Sequence, residues 1–330
     1  MASTIHDVAR LSRVSPGTVS RVIHKRANVK PETRQRVLEA IKKLDYRPHA
    51  AASRLGSGKT HVIGLLVPDL QKEYYVEVSE AIIETAKRQG YAILVTTMKG
   101  DKSHLVDFLR SGNMDGLLVI TPYYIEEELS LIATQEVPSV FINYESDGQV
   151  FSSIYCDQFK IGYLATKYLI DLGHTKIGFC TNNLSSPSPT KRFQGAVQAM
   201  VEANLDVKAK YVREIPQNTP VKATREWLRG GDIPSAIFIF SDDIALYVMD
   251  VIKDAGYKIP DEISVIGCGN MLVSKWTIPP LTTVEQYTAR MGTQSVEMLL
   301  NLMTKNMDSR CDVQVIDPRV VVRESCRKVS

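Results

Sequence analysis

Between residues 62 and 143, apolar runs alternate with amphipathic stretches. Val62 to Val67, Ala92 to Thr97, Gly116 to Ile120 and Ser139 to Asn143 are short and largely apolar, the pattern of strands buried on both faces of a parallel sheet. Helical stretches at 76–89 and 103–110 separate them. The rhythm resumes with Ile177 to Cys180, Tyr211 to Glu214, Ala236 to Phe240 and Ser264 to Gly267, interleaved with helices near 157–172, 190–203, 221–229 and 242–255. This predicts an α/β body of two doubly wound parallel-sheet subdomains. A ligand cleft is expected between them, outside the carboxyl ends of the strands.

The first sixty residues follow the helical period instead. Thr4-x-x-Asp7 has the form of a capping box, with Ile5, Val8 and Ala9 behind it, and predicts a first helix to about Leu11. Ser15 is a good N-cap and Pro16 suits the first helical position, so a second helix starts after a turn of a few residues. Its inner face is Val19, Val22 and Ile23. Gly17, Thr18, Ser20, Arg21 and His24 are left pointing outward, small and hydrogen-bonding enough to let another backbone approach. A third helix opens at Pro31 and buries Val37, Ala40, Ile41 and Leu44. This is the pattern of a helix-turn-helix module, with a generic helical bundle of basic surface as the alternative.

Between the two patterns lies "SRLGSGKTHVIGLLV", in which Gly58-Lys59-Thr60 invites a phosphate-binding reading. A P-loop requires a glycine five positions before Gly58, a preceding strand and a following helix. Ser53 stands at the first position, the preceding residues favour helix, and a strand follows. Pro48 to Leu55 instead predicts a helix of about two turns, too short to be stable alone in water, with Gly56 to Gly58 as a flexible tether.

Composition narrows the classes. Apolar residues make up 44% of the 330 residues and charged residues 23%, ordinary usage for a globular chain. No apolar run approaches the ~20 residues of a membrane span, and the N-terminus lacks the apolar core of a signal peptide. Five scattered cysteines without a C-x-x-C pair predict reduced thiols in a cytoplasmic protein. Residues 1–60 carry a net charge of +9 and the remainder −6. A polyanion is therefore expected to meet the head, and DNA, RNA or an anionic membrane surface would serve equally at this level.

The segment "TIHDVARLSRVSPGTVSRVIHKRANVKPETRQRVLEAIKKLDYRPHAAASRLGSGKT" resembles the head and linker of the lactose repressor and galactose repressor family of transcription regulators. The resemblance implies that the second helix enters the DNA major groove. Arg21 would read a guanine edge, and Pro16 and Gly17 stand where members vary to choose operators. Thr4, Ser15, Thr18, Ser20, His24 and Thr33 would hold phosphates, and Asn28 lies where a further contact is made. The Pro-Gly pair removes two side chains that could read bases, which leaves direct readout to Arg21 and Ser20. In this family a hinge helix pairs with its twin from a second subunit and pushes a leucine into the minor groove. Leu55 is that residue here, with Ala52 at the packing position and Arg54 near the backbone.

"LGHTKIGFC", "IPDEISVIGCGN" and "IPPLTTVEQ" resemble segments of the family's effector domain, a type I periplasmic-binding-protein-like body. The resemblance implies a head at 1–47, a hinge helix and linker at 48–61 and a body at 62–330. The first subdomain would take about 62–158 plus 288–323, including a strand at 319–323, and the second about 159–287. The family's sugar or purine site corresponds to Leu70, Tyr74, Asn143, Arg192, Ser241, Asp242, Gly269, Asn270, Trp276 and Gln286. Arg192 is the strongest of these, because a guanidinium fork suits hydroxyl pairs or a carboxylate, and Asp242 reads more simply as a helix N-cap. Gly269 replaces the family's usual aspartate, and Ser241 stands where asparagine is common. With two polar anchors gone, either the effector is small or unusual, or a partner protein such as a phosphocarrier exerts control. No leucine-heptad tail follows Lys328, so a homodimer is expected rather than the tetramer of one family member.

No histidine pair or cysteine cluster suggests a metal, no cofactor is implied, and no nucleophile or paired carboxylates suggest an enzyme. The rival from another class is a solute-binding protein, which fits the body but not the head. The expectation is a cytoplasmic, dimeric repressor that binds a pseudo-palindromic operator in double-stranded DNA. A small sugar-like effector in the cleft would control it, without any membrane partner.

Overall fold

The computed structural model describes residues 3–23, 28–46, 59–97, 102–110, 113–121, 130, 132, 134, 137–145, 150–181, 183–215, 220–304 and 311–329. His24, the hinge helix expected at Pro48 to Leu55 with Ala52, Arg54 and Leu55, and Gly56 to Gly58 lie outside the described residues. The chain divides into two compact units, Met1–Thr60 and His61–Ser330.

The first unit is helical. Helix α1 spans Ile5–Ser12, α2 Pro16–Ile23 and α3 Pro31–Lys43. The Thr4 and Asp7 backbone and side chains satisfy one another reciprocally, which completes the capping box. Arg13 adopts the left-handed conformation at φ 54° and sends its N–H back to α1 carbonyls, ending that helix. Two residues later the Ser15 hydroxyl accepts the Thr18 N–H at 3.2 Å and starts α2. The turn is short because a C-cap and an N-cap nearly abut. Val8, Ala9, Val19, Val22, Val37, Ala40 and Tyr46 form the core, with Ile41 and Leu44 half-buried against it.

The second unit holds two six-stranded sheets. The first contains β1 (Val62–Val67), β2 (Ala92–Thr97), β3 (Gly116–Ile120), β4 (Ser139–Ile142), β5 (Ser152–Cys156) and β11 (Val313–Ile316), in the order β11-β5-β4-β3-β1-β2. The second contains β6 (Ile177–Thr181), β7 (Val212–Glu214), β8 (Ala236–Ile239), β9 (Ser264–Gly269), β10 (Thr282–Glu285) and β12 (Arg319–Val321), in the order β12-β10-β9-β8-β6-β7. Every pairing is parallel except β10 with β12. The chain forms α4 (Glu73–Arg88), α5 (Lys102–Arg110), α6 (Gln158–Asp171), α7 (Pro187–Glu202), α8 (Pro220–Leu228), α9 (Asp242–Asp254) and α10 (Thr288–Thr304) between strands. Each subdomain is thus a doubly wound α/β layer stack, and β3, β4, β6, β8 and β9 are buried along their whole length.

One expectation is corrected. The strand foreseen at 319–323 as part of the first subdomain is instead β12, which pairs antiparallel with β10 in the second sheet. The strand that completes the first sheet is β11, parallel to β5. Asp317 and Pro318 separate β11 from β12, and the chain changes sheets there because proline cannot donate to a ladder. It also crosses between subdomains after β5 and again after β10. Helix α10 returns to the first subdomain, where the Thr288 hydroxyl donates to Glu77 at 2.7 Å.

Candidate nucleic-acid interface and ligand cleft

On α2 the core takes Val19 and Val22, which turns Gly17 and Arg21 outward into solvent with Ser20 half-exposed between them. A Cβ on Gly17 would meet nothing nearer than the Ser15 hydroxyl at 3.8 Å, so the missing side chain leaves open space. Arg21 is exposed and has no hydrogen-bond or ion-pair partner among the described residues. Thr4 and Ser15 spend their hydroxyls on caps, Ser15 lying 3.0 Å from the Thr18 hydroxyl and Thr4 donating to Asp7 at 2.7 Å. Asp7 is held below the usual carboxylate range by these Thr4 hydrogen bonds. Asn28 is exposed, and Thr33 is half-buried in the first turn of α3.

In the body the cleft is organised by an arginine. Helices α6 and α7 approach until their backbones touch at two glycines: a Cβ on Gly162 would lie 1.7 Å from the Arg192 carbonyl oxygen, and one on Gly195 1.9 Å from that of Phe159. This crossing brings Gln158 and Arg192 together in the interior. The Arg192 Nε donates to Gln158 Oε1 at 2.8 Å, one terminal nitrogen donates to the Phe240 carbonyl, and the other reaches Gln286 Oε1 at 3.2 Å. Gln158 in turn donates to Asn143 Oδ1 at 3.2 Å and to the Cys156 carbonyl at 2.9 Å. Asn143 ends β4 in the left-handed region at φ 61°, a strained placement that concentrates at binding sites. Arg192, Gln158 and Asn143 form one chain of hydrogen bonds from the second subdomain to the first.

These groups border a cavity of about 120 Å³. Of the residues foreseen for this site, Tyr74, Asn143, Arg192, Ser241 and Gln286 line it. The phenol oxygen of Tyr74 is buried without a hydrogen-bond partner, and burial pushes its pKa well above the usual tyrosine range. Leu70, Asp242, Gly269, Asn270 and Trp276 do not line the cavity. Leu70 is exposed, and Trp276 is 76% exposed. Asn270 joins Glu285 and Arg323.

Asp242 is not the N-cap of α9, because Ser241 holds that position. Its carboxylate lies fully buried beneath the cleft, accepting from Thr283 Oγ1 at 2.7 Å and from the Met271 N–H at 3.0 Å. Burial pushes its pKa up to about 6. Gly269 adopts φ 137°, and a Cβ there would stand 3.5 Å from Asp242 Oδ2. The position that lacks the expected aspartate is therefore backed by the carboxylate of the first residue of α9.

The sequence pattern missed Lys72, Ser186, Ser188 and Asp243, all of which line the cavity, and Gln158, which orients Arg192. Asp243 accepts from the Ser241 hydroxyl and from the Ile244 N–H at 2.9 Å. Two further contacts join the subdomains. Glu73 Oε1 accepts the Leu272 N–H at 2.6 Å, and Lys191 pairs with Glu145. Among the described residues no cluster of three or more His, Cys, Asp or Glu could hold a metal. No described helix is long and apolar enough to cross a membrane.

Residues 4–49 match the family of bacterial regulatory proteins, lacI family, and residues 166–326 match the periplasmic binding protein-like domain. The HTH-type transcriptional repressor PurR of Mannheimia succiniciproducens is 34% identical over 335 residues, covering 99% of this chain and all of that protein. The PurR repressor of Histophilus somni is 35% identical over 332 residues, covering 98% and 99%. Among solved structures, the lac repressor dimer bound to operator and the anti-inducer ONPF superposes with a TM-score of 0.89 at 26% identity, covering 99% and 100% of the two chains. A complex of the transcriptional regulator CelR with cellobiose gives 0.74 at 25% identity, covering 98% and 99%.

Proposed function

Because the chain belongs to the lacI family of bacterial regulatory proteins, as a DNA-binding transcriptional repressor and not an enzyme, we propose that it binds a pseudo-palindromic operator as a homodimer under the control of a small effector in the body cleft. It acts in the cytoplasm on duplex DNA. Arg21 reads a base edge from the outer face of α2, Pro16 and Gly17 stand at the operator-choosing positions, Thr4, Ser15, Thr18, Ser20, His24 and Thr33 form the phosphate contacts, and Asn28 makes a further contact. Ala52, Arg54 and Leu55 are assigned to a hinge helix that bends the duplex. The carrying observation for the head is Arg21, exposed and unpaired on a helix whose opposite face is fully committed to the core.

For the body, the carrying observation is the cavity lined by Tyr74, Asn143, Arg192, Ser241 and Gln286. These polar groups converge on a concave space between the two subdomains, the usual form of a small-molecule site. This favours a small molecule over a partner protein at the cleft. A volume of about 120 Å³ is close to that of an engineered 150 Å³ cavity that accepts benzene, which suits an effector about one ring in size, and the polar lining suits a sugar-like one.

Operator selection from random duplexes with the full chain, followed by titration at several salt concentrations, tests the assignment. The selected sites are expected to be two-fold symmetric, with half-sites about one helical turn apart. Affinity should fall with a log–log slope of about −0.9 per phosphate contact. Asymmetric sites or salt-independent binding would overturn it.

A further inference from the structure

Arg192 was the strongest candidate for holding a ligand, yet each of its three nitrogens already donates to the protein, to Gln158, Phe240 and Gln286. It shapes the floor of the cavity while keeping its positive charge there. Lys72 contributes a second positive charge from the loop before α4, half-buried at the cavity wall. Its ammonium has no hydrogen-bond or ion-pair partner among the described residues. The opposing charge in the lining is Asp243, whose carboxylate is occupied by the Ser241 hydroxyl and the Ile244 N–H at the start of α9. The lining is therefore net positive, and its one unpaired charged group is a cation.

Neutral donors stand beside that charge. Ser186 caps α7 without a side-chain hydrogen bond to the helix, and Ser188 lies in the first turn, both facing the cavity. Pro187 and Pro189 supply no N–H, so the helix end is poor in backbone donors and the two hydroxyls stand in. Tyr74 lines the same space, while its hydroxyl is buried without a hydrogen-bond partner. A neutral ring would leave the lysine unmatched in a partly desolvated wall, where an opposite charge is worth more than in water.

We propose that the cleft's effector is a small ring bearing an anionic group, a phosphate or a carboxylate, with Lys72 as the residue that selects for the charge and the Ser186 and Ser188 hydroxyls as hydrogen-bond donors beside it. The proposal rests on the cleft being the effector site. The ring occupies the space above Arg192, and the anionic group meets Lys72.

Calorimetry on the full-length protein with matched probes separates the possibilities: glucose against glucose 6-phosphate, ribose against ribose 5-phosphate, and glucose against glucuronate. In at least one pair the anion is expected to bind tenfold or more tighter than its neutral parent, and the phosphate and carboxylate arms tell which group is preferred. Lys72→Met should remove that preference, weakening the anion tenfold or more relative to its neutral parent. Ser188→Ala should weaken the anion several-fold in a protein that still folds. Neutral parents that bind as tightly as their anions, or a preference that survives Lys72→Met, would overturn the proposal and leave the cleft as an effector site. Silence from every probe in both forms would instead count against the effector reading itself.

Discussion

The Arg192 carbonyl oxygen stands 1.7 Å from where a Cβ on Gly162 would sit. Helix α7 is thus pressed against α6 backbone to backbone, with the Arg192 side chain thrown forward into the cleft. Gly162→Ala is expected to destabilise the body by about 3 kcal/mol or more, because the clash is with main chain and cannot be relieved by a rotamer. If the helices part instead, the Arg192–Gln158 bond breaks and effector binding is lost before the fold. Thermal melting with and without effector distinguishes the two, and a variant with wild-type melting and binding would contradict the close crossing.

Tyr74→Phe should raise the stability of the effector-free protein, by about 1 kcal/mol. The substitution removes a buried hydroxyl that has no partner and leaves the ring that packs against Tyr75. Urea unfolding measures it. A clear loss of stability would mean that the hydroxyl is bonded in the effector-free state.

Much of this architecture was legible in the order of apolar runs, since β3, β4, β6 and β8 are buried along their length and look so. Strand β5 was not, because "SSIYC" presents serines at positions where Ser152 and Ser153 are fully buried. Strand β11 escaped for the opposite reason, as an edge strand exposed along three of its four positions. Among cleft residues, Tyr74, Asn143, Arg192, Ser241 and Gln286 came from the family resemblance. Gln158 did not, since a glutamine opening an amphipathic helix reads as solvent-facing. It is only 6% exposed, because two glycines far apart in the chain let α7 cover it. Asp242 has an N-cap's sequence context, and only the tertiary position of Thr283 and the Met271 N–H turns its carboxylate inward.

Acid should act on the body in two opposite senses. Burial holds His174 neutral and below its usual pKa, between the Ser235 and Ser264 hydroxyls at 2.9 and 3.0 Å, with the Arg327 carbonyl at 3.2 Å. A lowered folded pKa gives stability that is present above the unfolded value of about 6.5 and is lost as pH falls through the folded one. Asp242 has the reverse sign. With its folded pKa raised to about 6, its contribution is full below about 4 and disappears as pH rises past 6, an effect on the order of 3 kcal/mol. Unfolding of the wild type, His174→Gln and Asp242→Asn across pH 4 to 8 resolves the two. His174→Gln should flatten the acid loss. The stability of the wild type relative to Asp242→Asn should fall between pH 4 and pH 7. Parallel curves for either variant would remove that group from the balance.

Arg21→Ala is expected to weaken operator binding by about 1–3 kcal/mol while leaving the head folded. The second half follows from geometry, because Arg21 is exposed and the core of the head uses Val19 and Val22 from the same helix. Val22→Ala should therefore melt the head, whereas Arg21→Ala should not. The first half depends on chemistry that a lysine cannot reproduce: a guanidinium presents two parallel N–H donors to a guanine edge, and an ammonium presents a point charge. Arg21→Lys should keep the salt dependence of the wild type yet lose discrimination at one base pair in each half-site. Competition between operators altered one base at a time measures this, with circular dichroism confirming helix content. If Arg21→Lys retained full discrimination, or if Arg21→Ala weakened all sequences equally, Arg21 would be a phosphate contact, and direct readout would pass to Ser20 and to the shape of the DNA.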